Sequence, residues 1–291
     1  MSGRPPLEPR AVALLACPVC AAGLAVAGDG DALRCPAGHA FDRARQGQVA
    51  LLLPGVRPPL GDSAEMVADR VAFLSAGHYA GVTAALADAV TAGPGEGGPP
   101  RSVLDLGGGT GHHLAAVLDR LDGAVGVVLD ASRYAARRAA RAHPRAVAVV
   151  ADAWSRLPVR DGVVDRLVVA FAPRNGPEAA RVLRPGGRLV VLTPAPEHLA
   201  ELVGPLGLLR VDPDKPARLA ATLGPALEPV ASAAHRERLS LDRTAVRALV
   251  GMGPHARHLD PAALDRALAA LPEPVGVTVA VDVTTWAPLT G

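Results

Sequence analysis

Between Ser102 and Leu192, short apolar segments alternate with helical ones, and few folds tolerate that pattern. Val103-Leu104-Asp105-Leu106, Ala124 to Asp130, Ala146 to Ala151, Val163 to Phe171 and Arg188 to Leu192 read as strands. Leu114 to Leu121, Tyr134 to Ala142 and Glu178 to Leu183 read as the helices between them. Strands that are apolar on both faces belong to a parallel sheet with helices on each side, which makes the chain α/β. Two longer strand patterns follow, Val230 to Leu241 and Val275 to Trp286, around helices at Asp242 to Leu249 and Pro261 to Leu271. They suit an antiparallel edge on that sheet.

The turn after the first strand reads Asp105-Leu106-Gly107-Gly108-Gly109-Thr110-Gly111. Glycines at such a junction bring backbone close to a ligand and present the amides at the next helix's start. Asp130, ending the second strand, falls where a ribose diol is held. The G-x-G-x-G spacing is shorter than a dinucleotide fingerprint, and the acidic Asp105 favours a cationic ligand over a pyrophosphate. S-adenosylmethionine has that character, with a sulfonium, an ammonium, a ribose and no phosphate.

All three cysteines lie in the first 35 residues. Cys17-Pro18-Val19-Cys20 is a C-x2-C knuckle, and Cys35-Pro36-Ala37-Gly38-His39 adds a C-x3-H pair. Cys17, Cys20, Cys35 and His39 make a complete Cys3His shell for structural Zn²⁺, leaving no open position for catalysis. An odd cysteine count argues against a disulfide framework.

No apolar run reaches the roughly 18 to 20 residues of a membrane span, and the N-terminus lacks a signal-peptide pattern, so a cytoplasmic protein is expected. A net charge of +2 is no polyanion-binding signature. Lys215 is the only lysine among 30 basic residues, a skew that fits a GC-rich genome. The chain divides into a zinc-binding module at residues 1–54, a linker and helical segment at 55–100, and a larger domain at 101–291. Ser63 is the expected N-cap of the first helix in that linking segment.

Leu183-Arg184-Pro185-Gly186-Gly187, leading into an apolar strand, resembles the helix–turn–strand five of class I (Rossmann-like) S-adenosylmethionine-dependent methyltransferases. Asp152 sits where that class contacts adenine. Further stretches resemble the 23S rRNA (guanine-N1)-methyltransferases, particularly the Gram-positive, actinomycete tylosin-resistance type. They are Gly61-Asp62-Ser63-Ala64-Glu65-Met66, the run from Ala72 to Tyr79, Phe171-Ala172-Pro173, the run from Thr193 to Leu199, and Gly251-Met252-Gly253-Pro254-His255. The zinc-ribbon-like module matches as well, so the likeness covers nearly the whole chain and is loosest after Leu208.

The resemblance implies methylation of guanine N1 in the hairpin 35 loop of 23S rRNA domain II, macrolide resistance, and a homodimer. It also implies a cofactor site formed by Tyr79, Asp105, Gly107, Gly108, Gly109, Gly111, His112, Asp130, Asp152 and His198. Two departures stand out. Relatives often have cysteine or alanine at position 108, and often a tryptophan where Arg257 stands.

Guanine N1 carries a proton, so transfer needs a general base, or donors that stabilise the O6 enolate. His78, His112, His198 and His255 are candidates, with Asp152 and Asp165 behind them. Phe171 can stack on a base and Arg174 can meet a phosphate, while Arg34, Arg43 and Arg45 give the zinc module cations for RNA. N1 lies on the Watson–Crick edge, so the target base must be unpaired or flipped out. A small-molecule methyltransferase of the quinone or natural-product kind, and a non-catalytic RNA-binding protein, are the alternatives.

Overall fold

The structure is a computed structural model, and it describes residues 6–28, 30–53, 55–56, 60–93, 98–257 and 260–289. The end of the expected zinc module at Pro54, and parts of the linker and of the loop before Pro100, lie outside the described residues. From the N-terminus, α1 (Pro9–Val12) precedes the short strands β1 (Ala25–Ala27), β2 (Ala32–Arg34), β3 (Ala40–Asp42) and β4 (Val49–Ala50). Helices α2 (Ala64–Ser75) and α3 (Ala80–Thr91) lead to β5 (Ser102–Leu106). Ser63 caps α2, its hydroxyl accepting from the Met66 amide at 3.2 Å.

Four further strands continue the sheet: β6 (Val125–Asp130), β7 (Ala146–Val150), β8 (Val164–Ala170) and β9 (Leu183–Pro194). Their connecting helices are α4 (His112–Arg120), α5 (Arg133–Ala139) and α6 (Gly176–Val182). α7 (Ala200–Leu206) and α8 (Lys215–Leu223) then lead to β10 (Leu227–Leu241), α9 (Arg243–Gly251), α10 (Pro261–Ala270) and β11 (Val275–Pro288). The main sheet runs β10-β11-β9-β8-β5-β6-β7-β4, and β1-β2-β3 form a separate small sheet. β4 to β9 pair parallel, while β11 pairs antiparallel with both β9 and β10, which is the expected edge.

Alternate residues of each strand feed two cores. Val103 belongs to one with α3 and α4, and Leu104 and Leu106 to the other with α6 and α8. Gly126 lets α4 cross close over β6, because a Cβ there would stand 2.8 Å from Leu114.

The crossover from β7 to β8 departs from the usual pattern, as none of residues 151–163 is helical. A parallel sheet needs cover on both faces, and here the N-terminal segment supplies it. α1 packs on β6 and β7, and Ala11, Val12 and Leu15 join Val127, Val149, Leu157 and Val159 in one core. The Ala16 amide donates to the Pro158 carbonyl at 3.0 Å, and the Arg160 amide to Leu14 at 2.9 Å. β4 extends the main sheet, with Val49 opposite Val149.

Three helices escaped the sequence reading: α1 is only four residues long, α7 contains Pro205, and α8 has Pro216 in its first turn, so none shows a clear helical pattern. β1, β2 and β3 are three residues each, too short to show alternation. No helix among the described residues is long and apolar enough to cross a membrane.

Leu15 is fully buried in the shared core, and Trp286 lies in the same core at the opposite side of the sheet. Leu15→Ala should cost about 2–5 kcal/mol and lower the urea midpoint of one cooperative transition followed by tryptophan fluorescence. A separate low-urea transition that leaves the rest unaffected would show that the module folds by itself.

Candidate active site and metal centre

Each half of the metal site sits on a tight turn. In the first, the Ala21 amide donates to Cys17 O at 2.8 Å and Ala21 takes φ 60°. In the second, the Gly38 amide donates to Cys35 O at 3.0 Å and Gly38 takes φ 89°. The four ligand atoms of Cys17, Cys20, Cys35 and His39 lie within 4.8 Å of one another. His39 Nδ1 is 3.4 Å from Cys35 Sγ and 3.6 Å from Cys17 Sγ, and Cys20 Sγ is 3.7 Å from Cys35 Sγ. A tetrahedron with Zn–S bonds near 2.3 Å has edges of about 3.8 Å, so the donor set fits zinc in type and size. Cys17 and Cys35 also belong to the core that covers β6 and β7.

A cleft of about 910 Å³ opens above the sheet near β5 and β8, where the strand order reverses. Such a switch point is where open α/β sheets bind ligands. Asp130 organises one end of it. Its carboxylate accepts from the Gly109 amide at 2.9 Å and the Ser132 amide at 2.7 Å, tying the glycine loop to the end of β6. Gly107, at φ 70°, leaves no room for a side chain beside the Ala172 methyl.

Asp105 lies beneath that loop, 1% exposed, and neither carboxylate oxygen has a hydrogen-bond partner among the described residues. Burial first, and the Asp130 charge second, push it up to about 7. A Cβ at Gly108 would stand 2.5 Å from this carboxylate, so a larger residue there would have to push it aside. An orphaned buried carboxylate beside a second one is a fit for a cationic cofactor such as S-adenosylmethionine, and a poor one for a pyrophosphate.

Tyr79, Phe171 and His198 form an aromatic cluster on the opposite wall. Phe171 and Tyr79 stack at 6.3 Å between centroids, and Phe171 lies 6.0 Å from the His198 ring. Phe171 has φ 54°, an uncommon conformation for a bulky residue, and it leaves the ring 40% exposed at the cleft. Strain of this kind persists where the surroundings fix it, often at functional sites. The Ala280 amide donates to His198 Nδ1 at 3.1 Å. Nδ1 is therefore the acceptor nitrogen, and Nε2 carries the proton, 3.4 Å from the Tyr79 hydroxyl. Burial holds the His198 pKa down at about 4, so the ring is neutral at pH 7 and acts as a donor at Nε2.

A strap crosses the Asp130 end. Gly61 packs so closely on Ser132 that a Cβ would stand 2.5 Å from its amide nitrogen, and the Ser132 hydroxyl donates to Asp62 O at 2.6 Å. Arg70 bridges the Asp62 carboxylate and Met252 O. Arg257 donates to the carbonyls of Leu60, at 3.1 Å, and Gly61, at 2.8 Å. The residue that stands in a tryptophan's place thus anchors the strap.

Among the sequence candidates, Tyr79, Gly107, Gly109, Asp130, Asp152, Phe171, His198 and His255 line the cleft. Asp105 and Gly108 lie directly beneath the loop, while Gly111 packs α4 against Ala139 and Ala142. His112 meets the His113 ring edge-on and is not among the residues lining the cleft, and His78 packs on Phe73. Arg43 is buried against the Gly47 and Gly30 carbonyls, so it fixes a turn and does not offer a surface cation. Asp165 is held by Ser102 and Arg184, outside the cleft. Arg70, His113, Trp154 and Lys215 also line the cleft, and the sequence reading did not single them out for it. His113 was detectable only as half of a His-His pair whose helical phase was unknown.

Residues 15–55 match the family model described as "RlmA, N-terminal", a zinc ribbon, and residues 103–187 match "Methyltransferase domain". A Streptomyces fradiae protein named 23S rRNA (guanine(748)-N(1))-methyltransferase is 50% identical over 96% of this chain and 98% of its own length. A Micromonospora griseorubida protein, also named as a 23S rRNA (guanine-N(1)-)-methyltransferase, is 55% identical over 97% of this chain and all of its own. A demethylmenaquinone methyltransferase of Beutenbergia cavernae is 41% identical over only 36% of this chain and 43% of its own length. With the zinc ribbon, the class I sheet and likeness along the whole chain in agreement, this protein belongs to the 23S rRNA (guanine-N1)-methyltransferases, S-adenosylmethionine-dependent enzymes with a structural zinc site.

Proposed function

We propose that the enzyme methylates N1 of a loop guanine in hairpin 35, domain II, of 23S rRNA, the position numbered 748 in the Streptomyces fradiae relative's name. We further propose that this confers tylosin-type macrolide resistance, in the cytoplasm, and that the protein works as a homodimer. The observation that carries the rRNA reading is the extent of the likeness. It runs through the ribbon and the tail as well as the cofactor core, whereas the quinone enzyme shares about a third of the chain. Support for self-association is thinner: β10 is an edge strand whose residues 228–234 are exposed, and such an edge invites pairing.

Bound S-adenosylmethionine supplies an electrophilic methyl group for in-line displacement. Asp130 would hold the ribose hydroxyls, Asp152 the adenine, and Asp105 beneath the glycine loop would offset the charge of the methionine end. Tyr79 closes the methionine side. Phe171 stacks on the target base and holds it in line with the methyl carbon, where positioning is the main source of rate. His198 donates from Nε2 to guanine O6 as N1 loses its proton, because its other nitrogen is already committed to Ala280. Of the two other imidazoles in the cleft, His113 is paired with the Thr83 hydroxyl at 3.0 Å, so proton removal falls to His255.

Incubating the enzyme and cofactor with unmodified 23S rRNA should stop reverse transcriptase at one guanine of the hairpin 35 loop, since N1-methylguanine cannot pair. Absence of a stop anywhere in domain II would sink the rRNA reading. Cofactor affinity should rise with pH, because Asp105 ionises near pH 7 and the cofactor is cationic. Below that point each pH unit should cost up to about tenfold in Kd, and the dependence should vanish in Asp105→Asn. Isothermal titration from pH 5.5 to 8 measures both. His198→Ala should lower kcat about 100-fold, the scale of removing one oxyanion donor, and His198→Gln should recover part of that by restoring an N–H. Equal rates in the two variants would remove the donor role.

A further inference from the structure

The substrate end of the cleft holds cations that the fold itself does not use. Arg174 follows β8 by a few residues, close behind Phe171, and Lys215 opens α8, so two remote segments bring them to one wall. The Arg174 Nε is buried without a hydrogen-bond partner among the described residues. Neither side chain has an ion pair among the described residues. Asp212, a carboxylate whose charge acts on Lys215, is already engaged by Arg218 at 2.5 Å and by the Asp214 amide at 2.9 Å. Lys215 is shifted down by burial and then by the charges of Arg174 and Arg218, so these groups repel one another at close range. The chain's only lysine therefore stands half-buried beside an unpaired guanidinium. Packing gains nothing from that arrangement, and a bound anion would relieve it.

We infer that Arg174 and Lys215 clamp the phosphodiester of the nucleotide that carries the target guanine, a phosphate subsite inside the cleft. The inference rests on the rRNA reading and deepens it. A base stacked on Phe171 stays joined to its own phosphate, and Arg174 is three residues further along the same loop. Arg174 offers a planar fork and Lys215 a compact charge, two donor shapes that suit one phosphate group. The positive end of α8 adds to the same field.

The test uses the full-length protein with S-adenosylhomocysteine and compares guanosine with guanosine 5′-monophosphate by isothermal titration. Wild type should bind the monophosphate about tenfold tighter, the scale of charge-assisted hydrogen bonds to one anion. Arg174→Gln/Lys215→Gln should bind the two ligands alike. With unmodified domain II RNA, the double variant should show a KM raised about tenfold and kcat within twofold of wild type. Its dependence of log kcat/KM on log salt should be shallower by about 0.7 for each single-strand phosphate that the variant no longer neutralises. Lys215→Arg should stay close to wild type, and Lys215→Gln alone keeps the test open if the double variant folds poorly. An unchanged monophosphate preference and unchanged RNA KM in variants that fold would overturn the clamp. If wild type prefers the monophosphate but methylates no domain II RNA, the rRNA reading fails and the phosphate subsite stands.

Discussion

The structure depends on how one face of its central sheet is kept from water. Between β7 and β8 the chain takes no helix, so the strands there would present Val127, Val149 and their neighbours to solvent. The N-terminal segment closes that face with α1, Leu15 and the strand β4. This cover is too small to fold on its own apolar area, with three-residue strands and a four-residue helix. Zinc makes it rigid. Structural zinc contributes on the order of 10 kcal/mol in isolated fingers, and here that energy is coupled to the core beneath the cofactor loop. The ribbon is therefore part of the enzyme's scaffold. The arginines it exposes are Arg34 and Arg45, since Arg43 is used internally.

The cleft is polarised along its length. Asp105 and Asp130 make one end negative, and burial raises the cost of leaving them uncompensated. Arg174 and Lys215 make the other end positive. In the proposed function, a cationic cofactor and an anionic nucleotide each find the complementary end of the cleft that Tyr79, Phe171 and His198 also line. Electrostatics of this form sets orientation before chemistry begins. His198 is kept neutral first by its burial, and the charges of Lys215 and Arg236 act in the same direction.

The strap over Asp130 shows how a departure from family pattern can be absorbed. Where relatives often carry an aromatic residue, Arg257 holds the backbone at Leu60 and Gly61. Its contribution is geometric: it fixes the segment that crosses the Asp130 end of the cleft. Gly61 serves the same strap, since it lets the backbone approach Ser132 more closely than any side chain permits.

The alternating apolar strands, the glycine turn, the acidic residue ending β6 and the four zinc ligands were legible in the sequence because each is a local pattern with a local physical cause. Strand periodicity, turn conformation and ligand spacing all act within a few residues. The sequence also pointed to the cleft through Tyr79, Phe171 and His198, though only by likeness to a family. It could not show that the zinc module stands in for a missing crossover helix, because that depends on contacts between Leu15 and Val159, far apart in the chain. Nor could it give the tautomer of His198, which is set by the Ala280 amide on β11, or the pairing of Arg174 with Lys215 across two loops. Only the tertiary structure decided these, since burial and the partners of a polar group are properties of what the fold brings together.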